Sequence, residues 1–251
     1  MFLDWLSGHL AAYLSRQVAQ HSVPTSTYEA LEKVIRPGDI LLVEGNTRIS
    51  VAIKYLTQST WSHAALYLGP DAGFGTSENG DCHTLVEADL EFGIRTLPLN
   101  FYRNSHTRIC RPVGLDKGNL HMLTDYALSR LGQRYDMKNV FDLARYLIRT
   151  PPVPARHRHK LLSLGSGDPT RAICSTFIAE GFQRLRYPIL PTIDSIPADD
   201  PNCAHCIREH YRIRQTSLFT PRDFDASPYF RIIKPTLENN FDFRAINWAD
   251  L

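Results

Sequence analysis

Two rhythms of apolar residues run along the chain, and each predicts an element. "IRPGDILLVEG" opens on the turn pair Pro37-Gly38 and continues into four apolar residues, Ile40 to Val43, which predicts a strand. "RISVAIKYLTQST" has a helical pattern, and "HAALYLG" reads as a strand ended by Gly69. A glycine-rich loop from Gly73 to Gly80 leads to the strand "HTLVEADL", and "TRICRPVG" predicts another. "LHMLTDYALSRLG" places Leu120, Leu123, Tyr126 or Ala127, and Leu131 at helical spacing, with Gly132 as the stop. "NVFDLARYLI" predicts a further helix. In "ICSTFIAEGFQRL" the residues Phe177, Ile178, Phe182 and Leu185 recur at helical spacing, so one face is core. "YPILPTIDSIPADDPNC" reads as irregular, and "YFRII" near the C-terminus as a strand. The mixture predicts an α+β fold.

At the N-terminus, Phe2, Leu3, Leu6, Leu10, Tyr13 and Leu14 form one stripe of a helix expected over the first twenty residues. It reads first as a helix docked on the domain and second as a membrane-surface helix, for which Trp5 argues and the scarcity of cations argues against. The segment "RTPPVPARHRHK", within 149–160, is a proline-broken loop. From Leu143 to Gly167 the chain has five Lys or Arg and no acid. A solvated connection is the simple reading, and a patch for phosphate or anionic lipid the alternative.

Composition narrows the class. The chain has 251 residues, 43% of them hydrophobic, enough for a real core. Lys and Arg number 28 against 26 Asp and Glu, a net charge of +2, which argues against broad nucleic-acid binding. The stretch "MFLDWLSGHLAAYLSRQVAQ" lacks the basic region of a secretory signal, with Asp4 where one is expected, and no apolar run has membrane-spanning length; with the five cysteines this predicts a reducing cytoplasm, with peripheral membrane contact as an added expectation.

Candidate chemistry centres on Cys174. It stands at the start of its helix, where the positive end of the helix dipole favours a thiolate. A thiol nucleophile needs a base, and the base needs an orienting acceptor. His63 opens an apolar strand in "STWSHAALYLG", and is either a base emerging at a sheet edge or a polar strand terminus. Glu87 lies inside the apolar strand "TLVEADL", where an acid must be paired or exposed. Asp89 shares its strand face and is a rival orienter.

In order along the chain, "IRPGDILLVEG", "STWSHAALYLG", "HTLVEADLEFGI", "LGQRYDMKNVFDL" and "AICSTFIAEGF" resemble the circularly permuted papain-like cysteine hydrolases. These include the YiiX-like branch of the NlpC superfamily and have the lecithin:retinol acyltransferases as relatives. The resemblance covers roughly Arg36 to Pro191. It implies an antiparallel sheet or open barrel packed against the Cys174 helix. It further implies Cys174 as nucleophile, His63 as base and then acid, and Glu87 as the group that fixes the imidazole tautomer. Tyr135 of "LGQRYD" either lines the site and donates to the oxyanion or is a core tyrosine. The backbone N–H of Cys174 is the natural first oxyanion donor.

The implied layout is a helical extension over 1–30, a catalytic domain over 31–195 and a C-terminal extension over 196–251. The implied reaction is cleavage of an amide, ester or thioester through an acyl-cysteine, without a cofactor. The alternative is a lipid acyltransferase or phospholipase on the same site, and a third is a binding module without turnover. The substrate is a peptide amide or an acyl lipid. In the lipid case residues 1–20 and 149–160 would flank the cleft. Separately, Cys203, Cys206 and His210 in "CAHCIREH" have the spacing of three zinc ligands, or form a loop of reduced thiols.

Overall fold

The structure, a computed structural model, describes residues 13–14, 16–18, 23–133, 173–197, 207–246 and 248. Its centre is an antiparallel sheet of six strands in the order β4-β3-β2-β1-β5-β8. The strands are β1 (Ile40–Val43), β2 (His63–Tyr67), β3 (His83–Asp89), β4 (Gly93–Pro98), β5 (Thr107–Pro112) and β8 (Phe230–Ile233). β1 is flanked on both sides, Ile40 lying opposite Leu66 of β2 and Cys110 of β5. All four β1 residues are buried, which is why this strand reads as an unbroken apolar run rather than an alternation. The turn before it is set by Gly38, at φ +92°, whose N–H donates to the Tyr67 carbonyl at 2.7 Å. Asp39 follows, buried. It accepts the Arg36 N–H at 2.8 Å and a fork from Arg111 Nε and Nη2 at 2.8 and 2.7 Å.

Side chains alternate between two buried faces. Ile40, Leu42, Ala64, Leu66, Val86, Ala88 and Cys110 face one core; Leu41, Val43, Ala65, Tyr67, Leu85, Leu97 and Ile109 face the other. Helix α1 (Tyr28–Val34) covers the second face through Leu31, together with Ile35 and the short turn Leu99–Tyr102. Helix α2 (Arg48–Thr57) links β1 to β2, capped by Thr47, which accepts the Ser50 N–H at 3.2 Å.

The first face is covered by α3 (Lys117–Arg130) and α4 (Ile173–Arg184). α3 begins at Asp116, which accepts the Asn119 N–H at 2.7 Å, and stops at Gly132, φ +75°. α4 buries Phe177, Ile178 and Phe182 completely, each worth about 1.5–3 kcal/mol of transfer free energy. Gly181 lets the two helices approach. A Cβ there would lie 2.8 Å from Leu123 Cδ1 and 3.0 Å from Tyr126 Cδ1. Tyr126 in turn donates its hydroxyl to the Phe177 carbonyl at 3.0 Å. Phe182 meets Tyr187 and Phe230 edge-on, with ring centroids 5.3 and 5.4 Å apart. Near the C-terminus, α5 (Pro221–Ala226) carries a Thr220–Asp223 capping box and buries Phe224. After β8 comes α6 (Pro235–Glu238).

Several sequence expectations change. The tract read as irregular contains a strand, β6 (Thr192–Pro197), which pairs with β7 (Ile207–Arg212) as a separate two-stranded ribbon. Its alternating Thr, Ile, Asp and Ser residues conceal the period because the ribbon is largely solvent-exposed and lacks one apolar face. β4 and α1 follow no strong sequence signal. The helix expected through residue 20 does not reach that far: Tyr13 and Leu14 are helical, but Arg16–Val18 are not, and Gln17 forms an isolated bridge to Thr47. Residues 1–12, the "NVFDLARYLI" helix and the loop 149–160 lie outside the described residues.

Candidate active site

His63 is the first residue of β2, and its approach is tightly anchored. The Ser62 N–H donates to the Val43 carbonyl at 3.2 Å, and Ser62 Oγ accepts the Gly45 N–H at 2.9 Å. A Cβ on Gly45 would lie 2.3 Å from Ser50 Oγ, so this close packing requires glycine. The Trp61 indole N–H donates to Asp225 Oδ2 at 3.2 Å, and Arg108 clasps the same carboxylate at 2.8 and 3.0 Å. Trp61 also stacks on His106, with centroids 5.0 Å apart. The strand that presents His63 is therefore tied to β5 and α5 before it begins.

Glu87 lies in β3, on the sheet face shared with Leu85, and is 1% exposed. A bare carboxylate at that depth would be costly, and this one has a donor for each direction. Arg95 donates to Oε1 through Nε at 2.9 Å and Nη2 at 2.8 Å. The β3–β4 register brings this about by pairing Glu87 directly with Arg95. Oε2 accepts from His63 Nε2 at 2.7 Å and, in a short hydrogen bond, from the Tyr102 hydroxyl. Asp89 has other work: its Oδ1 accepts the Glu91 and Phe92 N–H groups at 2.8 and 3.0 Å, and its Oδ2 lies 3.4 Å from Arg95. Glu87, not Asp89, touches the His63 ring.

α4 lies on the opposite face, yet its first turn brings Cys174 to the start of β2. The thiol there is buried, with Ser175 Oγ at 4.0 Å, and its charge is coupled to that of the His63 ring. Since a carboxylate only accepts, Nε2 of His63 is assigned the proton, and Nδ1 is the nitrogen left for the sulfur.

The electrostatics follow from these contacts. Burial alone would push the Cys174 thiol up, but the His63 charge and hydrogen bond outweigh it and hold it below the ordinary thiol range. Burial would likewise lower His63, but Cys174 and Glu87 raise it well above the usual histidine value. Glu87, despite burial, is held down at about 2 by His63, Arg95 and Tyr102. Tyr102 is pushed well above the ordinary phenol range, first by burial and then by the Glu87 charge. The arrangement favours a thiolate beside an imidazolium. Cys110, buried in β5, is driven the other way, its thiol raised by burial.

Arg95 and Tyr102 were missed in the sequence. The first had a signal: a buried acid needs a counter-charge, and in a hairpin turning about Glu91 the residue facing Glu87 is Arg95. Tyr102 had none, because it arrives from a short turn beyond β4. Tyr135, Cys203 and Cys206 lie outside the described residues, and His210 is an exposed residue of β7 facing Asp194. Among the described residues, no three His, Cys, Asp or Glu side chains gather as a group able to hold a metal ion. No helix among them is long and apolar enough to cross a membrane.

No family model matches the chain, and no curated protein matches it. Among solved structures, the chain is similar to the metalloprotein YiiX from Escherichia coli O157:H7, with a TM-score of 0.44 and 15% identity, covering 79% of this chain and 96% of that one.

Proposed function

We propose that the protein is a thiol hydrolase of the permuted papain-like kind, cleaving an amide, ester or thioester through a covalent acyl-cysteine at Cys174. One observation carries this reading: His63 is hydrogen-bonded at 2.7 Å to the buried Glu87 carboxylate, and the buried Cys174 thiol, brought in by α4, lies near enough to that ring for the histidine charge to lower its pKa. Buried structural cysteines in an apolar sheet have no such partners, as Cys110 illustrates.

The steps follow from the contacts. The Cys174 thiolate attacks the acyl carbon, and the carbonyl π pair moves onto oxygen. The Cys174 backbone N–H, in the first turn of α4, faces the developing charge. As the tetrahedral species collapses, the bond to the leaving nitrogen, oxygen or sulfur breaks, and that atom takes the proton of the His63 imidazolium. A thioester remains. Water then attacks it, giving a proton to neutral His63, and the S–C bond breaks to release the acid and restore the thiolate–imidazolium pair. Glu87 stays charged throughout and keeps the ring in one tautomer.

A second reading, an acyl-lipid substrate, has one feature in its favour. Phe92 and Phe101, 55% and 56% exposed, flank the Arg95 guanidinium beside the Glu87 carboxylate. The test is to acylate Cys174 with an activity-based thiol probe, map the adduct by mass spectrometry, and screen soluble peptide amides against N-acyl and ester lipids in vesicles. An acyl adduct on Cys174 and turnover that disappears in Cys174→Ala support the hydrolase. Turnover of vesicle lipids only would select the second reading, and turnover that persists in Cys174→Ala would sink both.

A further inference from the structure

We propose that Arg95 and Tyr102 are positioning residues: together they hold the Glu87 carboxylate in one orientation, with one oxygen committed to the arginine and the other aimed at His63 Nε2. The proposal rests on the reading of Cys174 and His63 as the reacting pair, and extends it to two residues that act on the pair through the Glu87 carboxylate.

A carboxylate at the end of a three-carbon side chain is free to turn about its last bond, presenting either oxygen to a neighbour. Here that freedom is removed from two sides. Both Arg95 donors converge on Oε1, at 2.9 and 2.8 Å, so Oε1 is turned away from the imidazole. The Tyr102 hydroxyl binds Oε2 on the side that His63 leaves open.

Each clamp is itself fixed. Arg95 is placed by the strand register opposite Glu87, and its guanidinium stacks over Phe92 at 4.7 Å and Phe101 at 5.7 Å. Tyr102 closes the Leu99–Tyr102 turn, buried, with its ring edge-on to Phe101 at 5.1 Å and 6.2 Å from the His63 ring. Three segments of chain thus converge on one carboxylate: β2, β4 and the turn after it.

The clamps also set the charge. The titratable and charged groups facing Glu87 are His63 from β2, Arg95 from β4, Tyr102 from the turn and Asp89 from its own strand, with Cys174 of α4 acting through His63. Burial opposes ionisation of Glu87; Arg95 and Tyr102 help to overcome it. Without them the carboxylate would take up a proton at a higher pH and present His63 with a weaker acceptor.

The experiment follows the Glu87 side-chain carboxyl carbon by NMR across pH in the full chain. It compares wild type, Arg95→Met, Arg95→Lys and Tyr102→Phe, with iodoacetamide labelling of Cys174 near neutral pH alongside. Arg95→Met should raise the Glu87 titration by about 1–3 pH units, and Tyr102→Phe by about one. Both should slow Cys174 labelling several-fold. Arg95→Lys keeps the charge and loses the fork, so the titration should return most of the way to wild type while labelling stays slow. A residue with a merely structural role does not produce that split. Tyr102→Phe removes a single oxygen and carries the test if Arg95→Met does not fold. An unmoved Glu87 titration in both variants, with only the melting temperature lowered, would overturn the proposal. Failure of the hydrolase reading looks different: wild-type Cys174 would label no faster than Cys82, while the Glu87 titrations still shift as stated.

Discussion

Tyr102 and His63 bind the same oxygen of Glu87. One is a phenol held protonated by burial and by the carboxylate beside it; the other is an imidazole held protonated by the same carboxylate and by Cys174. The two donors are not interchangeable. Tyr102 is neutral and held protonated above the ordinary phenol range, whereas His63 keeps its Nε2–H on the carboxylate but gives up its second proton, and with it its charge, as pH rises. The shared oxygen therefore has two standing donors, of which only His63 changes charge.

The first prediction concerns thiol selectivity. Cys174 should alkylate faster than Cys82 near neutral pH, although Cys82 is exposed and Cys174 buried, because the His63 charge stabilises the Cys174 thiolate. Brief iodoacetamide treatment followed by peptide mapping measures the ratio. His63→Ala should reverse it.

The second concerns pH. Cys174 is depressed and His63 raised, so the thiolate–imidazolium pair exists between their two folded values. The rate of labelling with a neutral acyl probe should fall on the acid side as the thiolate is protonated, and kcat/KM should also fall on the basic side as the imidazolium loses its proton. Glu87→Gln removes a negative charge from the imidazolium, so His63 should titrate lower and the basic limb should move toward neutrality.

The third concerns stability. Glu87 is at about 2 in the folded protein, below the ~4.3 of a free glutamate, so its ionisation stabilises the fold above that ordinary value. The contribution is lost as pH falls from ~4.3 through about 2. Urea unfolding of wild type and Glu87→Gln should show a gap of about 3 kcal/mol or more at neutral pH, the cost of breaking a buried ion pair, closing as the solution is acidified through this window.

The fourth concerns the support of α4. Gly181→Ala should destabilise the protein by about 1–3 kcal/mol, because the added methyl meets Leu123 and Tyr126 at 3.0 Å or less. Since Tyr126 also binds the Phe177 carbonyl, the displacement should reach the Cys174 turn. Chemical denaturation measures the first effect, and slower iodoacetamide labelling of Cys174 the second.

The sheet was readable where burial imposes a period. Ile40–Val43, His63–Tyr67 and His83–Asp89 are strands with apolar residues on one or both faces, and their sequences show it. Among the described side chains of β6 and β7 none is buried, so no period marks them as strands. In the site, a lone acid between Val86 and Ala88 could be seen to need partners. Which partners it would have depended on register and on the turn that carries Tyr102, and neither is written as a local pattern. The choice of Glu87 over Asp89 at the imidazole is of the same kind. Both share a strand face, and a two-residue difference in position makes one a ring partner and the other the cap of the turn at Glu91–Phe92.

The order of the elements along the chain sets when reactivity appears. His63 and Glu87 belong to strands made early in synthesis, whereas Cys174 lies on α4, and the edge strand β8 and the Asp225 anchor come later still. In a growing chain β1 to β5 are thus synthesised before Cys174 is added. The thiol comes near the imidazole only once α4 packs back across the long sequence gap to β2. A molecule in which α4 has not packed holds the histidine and the acid without the thiol beside them, so fast labelling of Cys174 would report a packed α4.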